Sequence, residues 1–126
     1  MSRLILDAGA FVAFEKGDTG VRARLAAARR LGMEVATTSP VVGQVWRDGR
    51  QQALLARLVS AARVDAPDVA AARRAGEMLA KTKCHDVVDA LVTGLARHGD
   101  TILTSDPTDI HSLLAATRTR ANVVVV

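Results

Sequence analysis

The sequence has few aromatic residues and almost no cysteine. Its 126 residues include two Phe, one Trp and no Tyr, so the core must consist of Leu, Val, Ile and Ala. A nucleic-acid surface built from stacked aromatic side chains is excluded for the same reason. The single cysteine, Cys84, excludes a disulfide framework and a cysteine zinc site, and it fits a reducing compartment.

The sequence also lacks long apolar runs. The N-terminal run, Leu4–Leu6, is too short for a signal peptide. No other run approaches the length of about 20 residues that a membrane-spanning helix needs. We therefore expect a cytoplasmic protein without a membrane partner.

What the sequence does have is an excess of positive charge. Lys and Arg number 17 against 13 Asp and Glu, which gives a net charge of +4 and an isoelectric point of about 10.2. This balance favours a polyanionic partner or an acidic partner protein. Alternatively, the positive charge serves only to keep the protein soluble.

Short apolar runs alternate with longer segments that have helical periodicity. The length fits one domain that covers residues 1–126. The apolar runs predict strands at 4–6, 34–38, 64, 101–104 and 123–126, of which those at 4–6, 101–104 and 123–126 are expected to be buried. The segments between them predict helices at 8–14, 21–31, 39–46, 50–62, 68–81, 85–98 and 109–117. This alternation predicts an α/β fold in which helices cover a parallel sheet of four to five short strands.

Three acids lie at the ends of predicted strands or in the helix between two of these strands. Asp7 ends the first strand, Asp106 follows the strand at 101–104, and Asp89 lies in the first turns of the helix between them. Open α/β folds keep their sites at the carboxyl edge of the sheet, so these side chains can meet there. Converging carboxylates repel one another unless a cation lies among them, which predicts a divalent metal site.

Other residues near these acids leave alternatives open. Asp7, Asp86, Asp106 and Asp109 are each well placed to cap a helix or a turn, a role that needs no metal. The hydroxyl groups of Thr104 and Ser105 are placed to orient a carboxylate or a metal-bound water. The three histidines show no zinc-ligand spacing, and there is no Walker-type phosphate loop.

Four segments together resemble the PIN domain, specifically the VapC-type toxin ribonucleases of bacterial toxin–antitoxin systems. They are LILDAGA at 4–10, SPVVGQV at 39–45, DALVTGLA at 89–96 and TSD at 104–106. The resemblance spans nearly the whole chain. It implies a three-layer α/β/α fold, an acidic Mg²⁺ or Mn²⁺ site, cleavage of single-stranded or structured RNA, a homodimer, and an antitoxin that blocks the site.

The resemblance assigns metal-binding and catalytic roles to Asp7, Asp89 and Asp106, with Asp109 as a nearby alternative. The family's second acid, usually a glutamate, corresponds to Gln44, whose amide carries no charge. Asp86, one helical turn before Asp89, is the better candidate to compensate, and Asp48 is the other.

Arg47 and Arg50, which flank the helix that carries Gln44, are candidates for contacts with the RNA backbone. A solvated surface is the alternative for both arginines.

Two other functions compete with the metal-dependent ribonuclease. A phospho-acceptor receiver domain has a similar length, but it needs paired acids early and a lysine after the fifth strand, and no lysine follows Lys83. A PIN-like module that binds RNA or an antitoxin without efficient cleavage is the second, and Gln44 favours it.

Overall fold

The computed structural model describes residues 2–126, and these form five strands and seven helices. In chain order they are β1 (Leu4–Leu6), α1 (Ala8–Glu15), α2 (Thr19–Arg30), β2 (Val35–Thr38), α3 (Ser39–Val45), α4 (Ala53–Ala61), β3 (Arg63–Asp65), α5 (Val69–Ala80), α6 (Val87–Leu95), β4 (Thr101–Thr104), α7 (Pro107–Thr117) and β5 (Asn122–Val125). The predicted alternation of strands and helices is confirmed.

The five strands form one parallel sheet in the order β3-β2-β1-β4-β5. Strand β1 lies at the centre, where Leu4 pairs with Val35 of β2 on one side and with Thr101 of β4 on the other. The central strands are apolar because both faces of the sheet are covered. Ile5, Leu6, Ile102 and Leu103 are completely buried.

Helices cover the two faces of the sheet as separate layers. Parallel strands are almost always joined by right-handed crossovers, so this strand order puts α1–α4 on one face and α5–α7 on the other. The packing agrees, since α1 contacts α2, α3 and α4, while α5, α6 and α7 contact one another. The expected three-layer α/β/α fold is confirmed.

Two boundaries differ from the sequence prediction for local reasons. Helix α7 begins at Pro107, not at Asp109, because proline suits the first helical position; Asp109 therefore lies in the first turn and does not cap the helix. Helix α4 begins at Ala53, not at residue 50. The side chain of Gln52 holds the preceding residues in a loop by accepting hydrogen bonds from the backbone N–H groups of Arg47 (2.7 Å) and Asp48 (2.9 Å).

The last strand was expected to be buried, but β5 is an edge strand. Its residues are half-buried or exposed, and Val125 is 63% exposed. Four consecutive valines at 123–126 predict a strand but do not reveal whether a neighbour covers each side.

A buried ion pair that no local pattern indicates fixes the amino-terminal edge of the sheet. The guanidinium of Arg3 donates to the Asp100 carboxylate at 2.9 Å and 3.2 Å and to the Leu95 carbonyl at 2.7 Å. Asp100 also accepts from the backbone N–H groups of Arg3 and Arg97. Every oxygen of the buried carboxylate is thereby satisfied, and the start of β1 is tied to the turn before β4.

Candidate metal site

The chain turns in opposite directions after β1 and after β4. From β1 it proceeds to β2, and from β4 it proceeds to β5 on the other side of the sheet. Such a point, where the strand order reverses, leaves a crevice at the carboxyl ends of the two strands. Asp7 directly follows β1 and Asp106 is the second residue after β4, so both lie at the crevice.

One hydroxyl group joins the ends of β1 and β4. Thr104 Oγ1 donates to Asp7 Oδ2 at 2.7 Å and accepts from the backbone N–H of Asp106 at 3.0 Å. The other oxygen of Asp7, Oδ1, accepts from the Ala8 N–H at 2.8 Å and so caps α1. Asp7 is 5% exposed, and its carboxylate is held in one orientation from two sides.

Helix α6 brings two more acids to the crevice. Asp86 is its N-cap, and Oδ1 of Asp86 accepts from the N–H groups of Val88 (2.8 Å) and Asp89 (3.4 Å). The expectation that Asp86 caps the helix is therefore met. Asp89, in the first turn, is 6% exposed, and its carboxylate lies near enough to Asp7 and Asp106 for their charges to act on it.

Helix α7 completes the acidic cluster. Asp106 is its N-cap residue, and Asp109 lies in its first turn. One carboxylate oxygen from each of Asp89, Asp106 and Asp109 lies within 4.8 Å of the other two. This spacing of three carboxylates suits a single ion with oxygen ligands. Asp7 and Asp86 lie outside this group of three, but their charges act on Asp89. We call all five residues the acidic cluster: Asp7, Asp86, Asp89, Asp106 and Asp109.

Burial and crowded negative charge raise the pKa values of two acids in the cluster. Burial, together with the charges of Asp7, Asp86 and Asp106 and a hydrogen bond with Asp106, raises the pKa of Asp89 to about 8. Burial also raises the pKa of Asp7, with added contributions from Asp86 and Asp106, while the hydrogen bonds from Thr104 and Ala8 oppose this rise. The pKa values of both acids are thus raised by the lack of solvent and by their acidic neighbours.

Within residues 2–126, no Lys, Arg or His forms a salt bridge with any acid of the cluster. Asp100, which is equally buried, has Arg3 as its partner. Several carboxylates at one point without a cationic side chain, all presenting oxygen atoms, form the donor set that Mg²⁺ and Mn²⁺ prefer. The residues present therefore fit such an ion.

Other predicted residues lie on α3 and in the loop that follows it. Gln44 lies on α3 with an exposed side chain. Asp48 accepts from the N–H and the guanidinium of Arg50 in the loop before α4. The guanidinium of Arg47 donates to carbonyls at the end of α3.

Ser105 has a neighbour that sequence reasoning missed. A Cβ atom at Gly9 would lie 2.5 Å from Ser105 Oγ and 2.9 Å from the Ser105 backbone nitrogen. Only glycine allows the first turn of α1 to approach the β4–α7 junction this closely. The exposed hydroxyl of Ser105 thus lies beside the start of α1, one residue from the cluster.

A solved structure has the same arrangement of elements. The chain matches a chain in the crystal structure of VapBC2 from Rickettsia felis bound to a DNA fragment from their promoter, with a TM-score of 0.71 and 12% identity over 96% of this chain and 98% of that chain. The two chains share one fold, and at 12% identity the match shows nothing beyond that fold. No family model matches the sequence, and no curated protein matches it.

Within residues 2–126, no helix combines the length and the apolar character needed to cross a bilayer.

Proposed function

We propose that the protein is a metal-dependent endoribonuclease that hydrolyses single-stranded RNA and acts as the toxin of a type II toxin–antitoxin pair. The observation that carries the proposal is the acidic cluster, which lies at the crevice between β1 and β4 and has no cationic side-chain partner among residues 2–126. The fold shared with VapBC2 and the net charge of +4 support it.

Asp7, Asp89 and Asp106 would hold the Mg²⁺ or Mn²⁺ ion. When bound, such an ion offsets charge that develops on the phosphate and lowers the pKa of a coordinated water. The protein's own contribution is orientation. Thr104 fixes the carboxylate of Asp7, while the N-termini of α6 and α7 fix Asp89 and Asp106 on rigid elements. Asp109 and Ser105 would hold water molecules around the ion.

The direct test is cleavage of a single-stranded RNA by the purified protein with Mn²⁺ and with excess EDTA. Asp7→Asn keeps an oxygen for Thr104 but removes a charge from the site. Loss of even an outer partner of a metal ligand costs about 10–100-fold in activity, so we expect cleavage to fall about 100-fold or more. Asp68→Asn is the control, because Asp68 is also a helix N-cap, at the start of α5, and lies outside the cluster. Equal cleavage by both variants would remove Asp7 from the mechanism.

The second candidate function is a module of the same fold that binds RNA or an antitoxin without efficient cleavage. The neutral side chain of Gln44 favours it. The two functions differ in turnover, because only the enzyme converts a molar excess of RNA in the presence of Mn²⁺. RNA binding by gel shift without any product would support the module and contradict the enzyme.

A basic groove separate from the acidic cluster supports an acidic protein partner. It has a volume of about 1000 Å³ and runs between α2 and α4. Its floor is apolar, and its rim carries Arg22, Arg29, Arg30, Arg57 and Arg63. Glu34 is the single acid along it, and it lies 3.8 Å from Arg63. We propose that an amphipathic, acidic segment of the antitoxin binds in this groove.

Charge reversal tests the partner. If the gene next to that of this chain encodes a small protein, that protein should co-purify with the wild-type chain, and the double variant Arg29→Glu, Arg57→Glu should lose it. The control is Arg73→Glu, an exposed arginine of α5 on the opposite face of the sheet. Unchanged co-purification in the double variant would exclude the groove. The homodimer stays a prediction, which light scattering of the purified chain tests.

A further inference from the structure

Three helices begin at the acidic cluster, so cation binding there depends on how many negative charges the cluster carries. Asp7 is the N-cap of α1, Asp86 of α6 and Asp106 of α7. The N-terminus of a helix carries a partial charge of roughly +0.5, so together these three ends oppose a cation. A divalent ion binds there only if the carboxylates outweigh the helix ends, and each acid at the mouth of the crevice contributes to that balance.

Asp86 has one carboxylate oxygen that its cap does not use. Oδ1 accepts both capping hydrogen bonds, from Val88 and Asp89, and within residues 2–126 no donor binds Oδ2. The side chain is exposed. Its charge raises the pKa values of both Asp7 and Asp89, so the carboxylate lies near these two acids.

We propose that Asp86 has a double role: Oδ1 caps α6, and Oδ2 supplies a further negative charge to a divalent cation held by the acidic cluster, directly or through a water molecule. The inference rests on the proposed metal-dependent function. It would explain how the site holds a cation although Gln44, on the neighbouring helix α3, has no charge to offer. It also links metal binding to the N-terminus of α6, since the same side chain serves both.

Two substitutions separate the two roles. Asp86→Asn keeps a good N-cap but removes the charge, whereas Asp86→Glu keeps the charge on a residue that caps helices poorly. We expect Asp86→Asn to weaken Mn²⁺ binding by about tenfold, because one unit charge is lost near a doubly charged ion in a partly buried site. Asp86→Glu should bind Mn²⁺ nearly as well as the wild type but unfold at a lower temperature.

Isothermal titration calorimetry with Mn²⁺ alone measures the affinity, and thermal unfolding in EDTA measures the cap. Asp68→Asn is the matched control: Asp68 is also an exposed N-cap whose Oδ1 accepts from a helix N–H, at 2.8 Å, and it lies at the start of α5. Its Mn²⁺ affinity should stay within about twofold of the wild type, since distant exposed charges are screened.

The outcomes are distinguishable. Weaker Mn²⁺ binding in Asp86→Asn but not in Asp68→Asn supports the double role. Equal affinity of Asp86→Asn and the wild type overturns it and leaves Asp86 as a cap only, without affecting the proposed nuclease. A wild-type chain that binds no Mn²⁺ overturns the proposed metal-dependent function and this inference with it.

Discussion

Asp89 is the residue whose protonation should dominate the pH dependence of the metal-free protein. Its pKa is about 8 in the folded chain, against about 3.9 for an unperturbed aspartate. Below the lower value, both the folded and the unfolded states bind the proton. Between the two values, the unfolded state releases the proton and the folded state retains it, so the stability falls as the pH rises.

We therefore predict that the free energy of unfolding in EDTA decreases between pH 5 and pH 8 more steeply in the wild type than in Asp89→Asn, which cannot titrate there. Urea unfolding at several pH values measures both slopes. Parallel pH profiles for the two proteins would show that Asp89 ionises normally in the fold.

Gln44 is a second single residue whose substitution should change metal binding. If its position on α3 faces the bound ion, Gln44→Glu should tighten Mn²⁺ binding, because it adds a negative charge to the site. Calorimetry of the variant against the wild type measures the change. Unchanged or weaker affinity would mean that the α3 position lies outside the ion's reach.

At the scale of elements, the contact between α1 and the β4–α7 junction depends on one glycine. Gly9→Ala would place a Cβ atom 2.9 Å from the Ser105 backbone nitrogen, so the backbone must shift. We expect this variant to lose Mn²⁺-dependent cleavage to a larger extent than Gly43→Ala, whose Cβ would meet nothing within 4 Å. Equal activity of the two variants would show that the junction can adjust without disturbing Asp106.

The buried ion pair makes the second prediction about elements. Asp100→Ala would leave the Arg3 guanidinium buried without its partner, and breaking such a pair costs about 3–5 kcal/mol. The exposed pair of Arg63 and Asp65 is the control, since Asp65→Ala should cost about 1 kcal/mol or less. Urea unfolding measures both. A loss in Asp100→Ala no larger than in Asp65→Ala would exclude a structural role for the pair.

Local patterns explain which elements could be predicted from sequence. Apolar runs identified β1 and β4, and the acid after each strand was visible because its position relative to the strand is a local feature. The pairing of Arg3 with Asp100 was not predictable, since the two residues are 97 positions apart and meet only once β1 pairs with β4. The contact between Gly9 and Ser105 was missed for the same reason.

On the scale of the whole molecule, the strand order decides where charge accumulates. The reversal between β1 and β4 brings three helix N-termini and five aspartates to one crevice. The basic groove between α2 and α4 lies near the opposite edge of the sheet, beside the start of β2. The acidic cluster proposed to bind the metal and the basic groove proposed to bind a partner thus occupy separate parts of the fold.

A crystal structure of the protein soaked with Mn²⁺, using the anomalous signal of the metal, tests the central claim most directly. The account predicts a peak in the crevice between β1 and β4 that has oxygen atoms of Asp7, Asp89 and Asp106 as ligands, directly or through water. A fully soaked crystal with no peak at this crevice, or with Mn²⁺ bound only elsewhere, would contradict it.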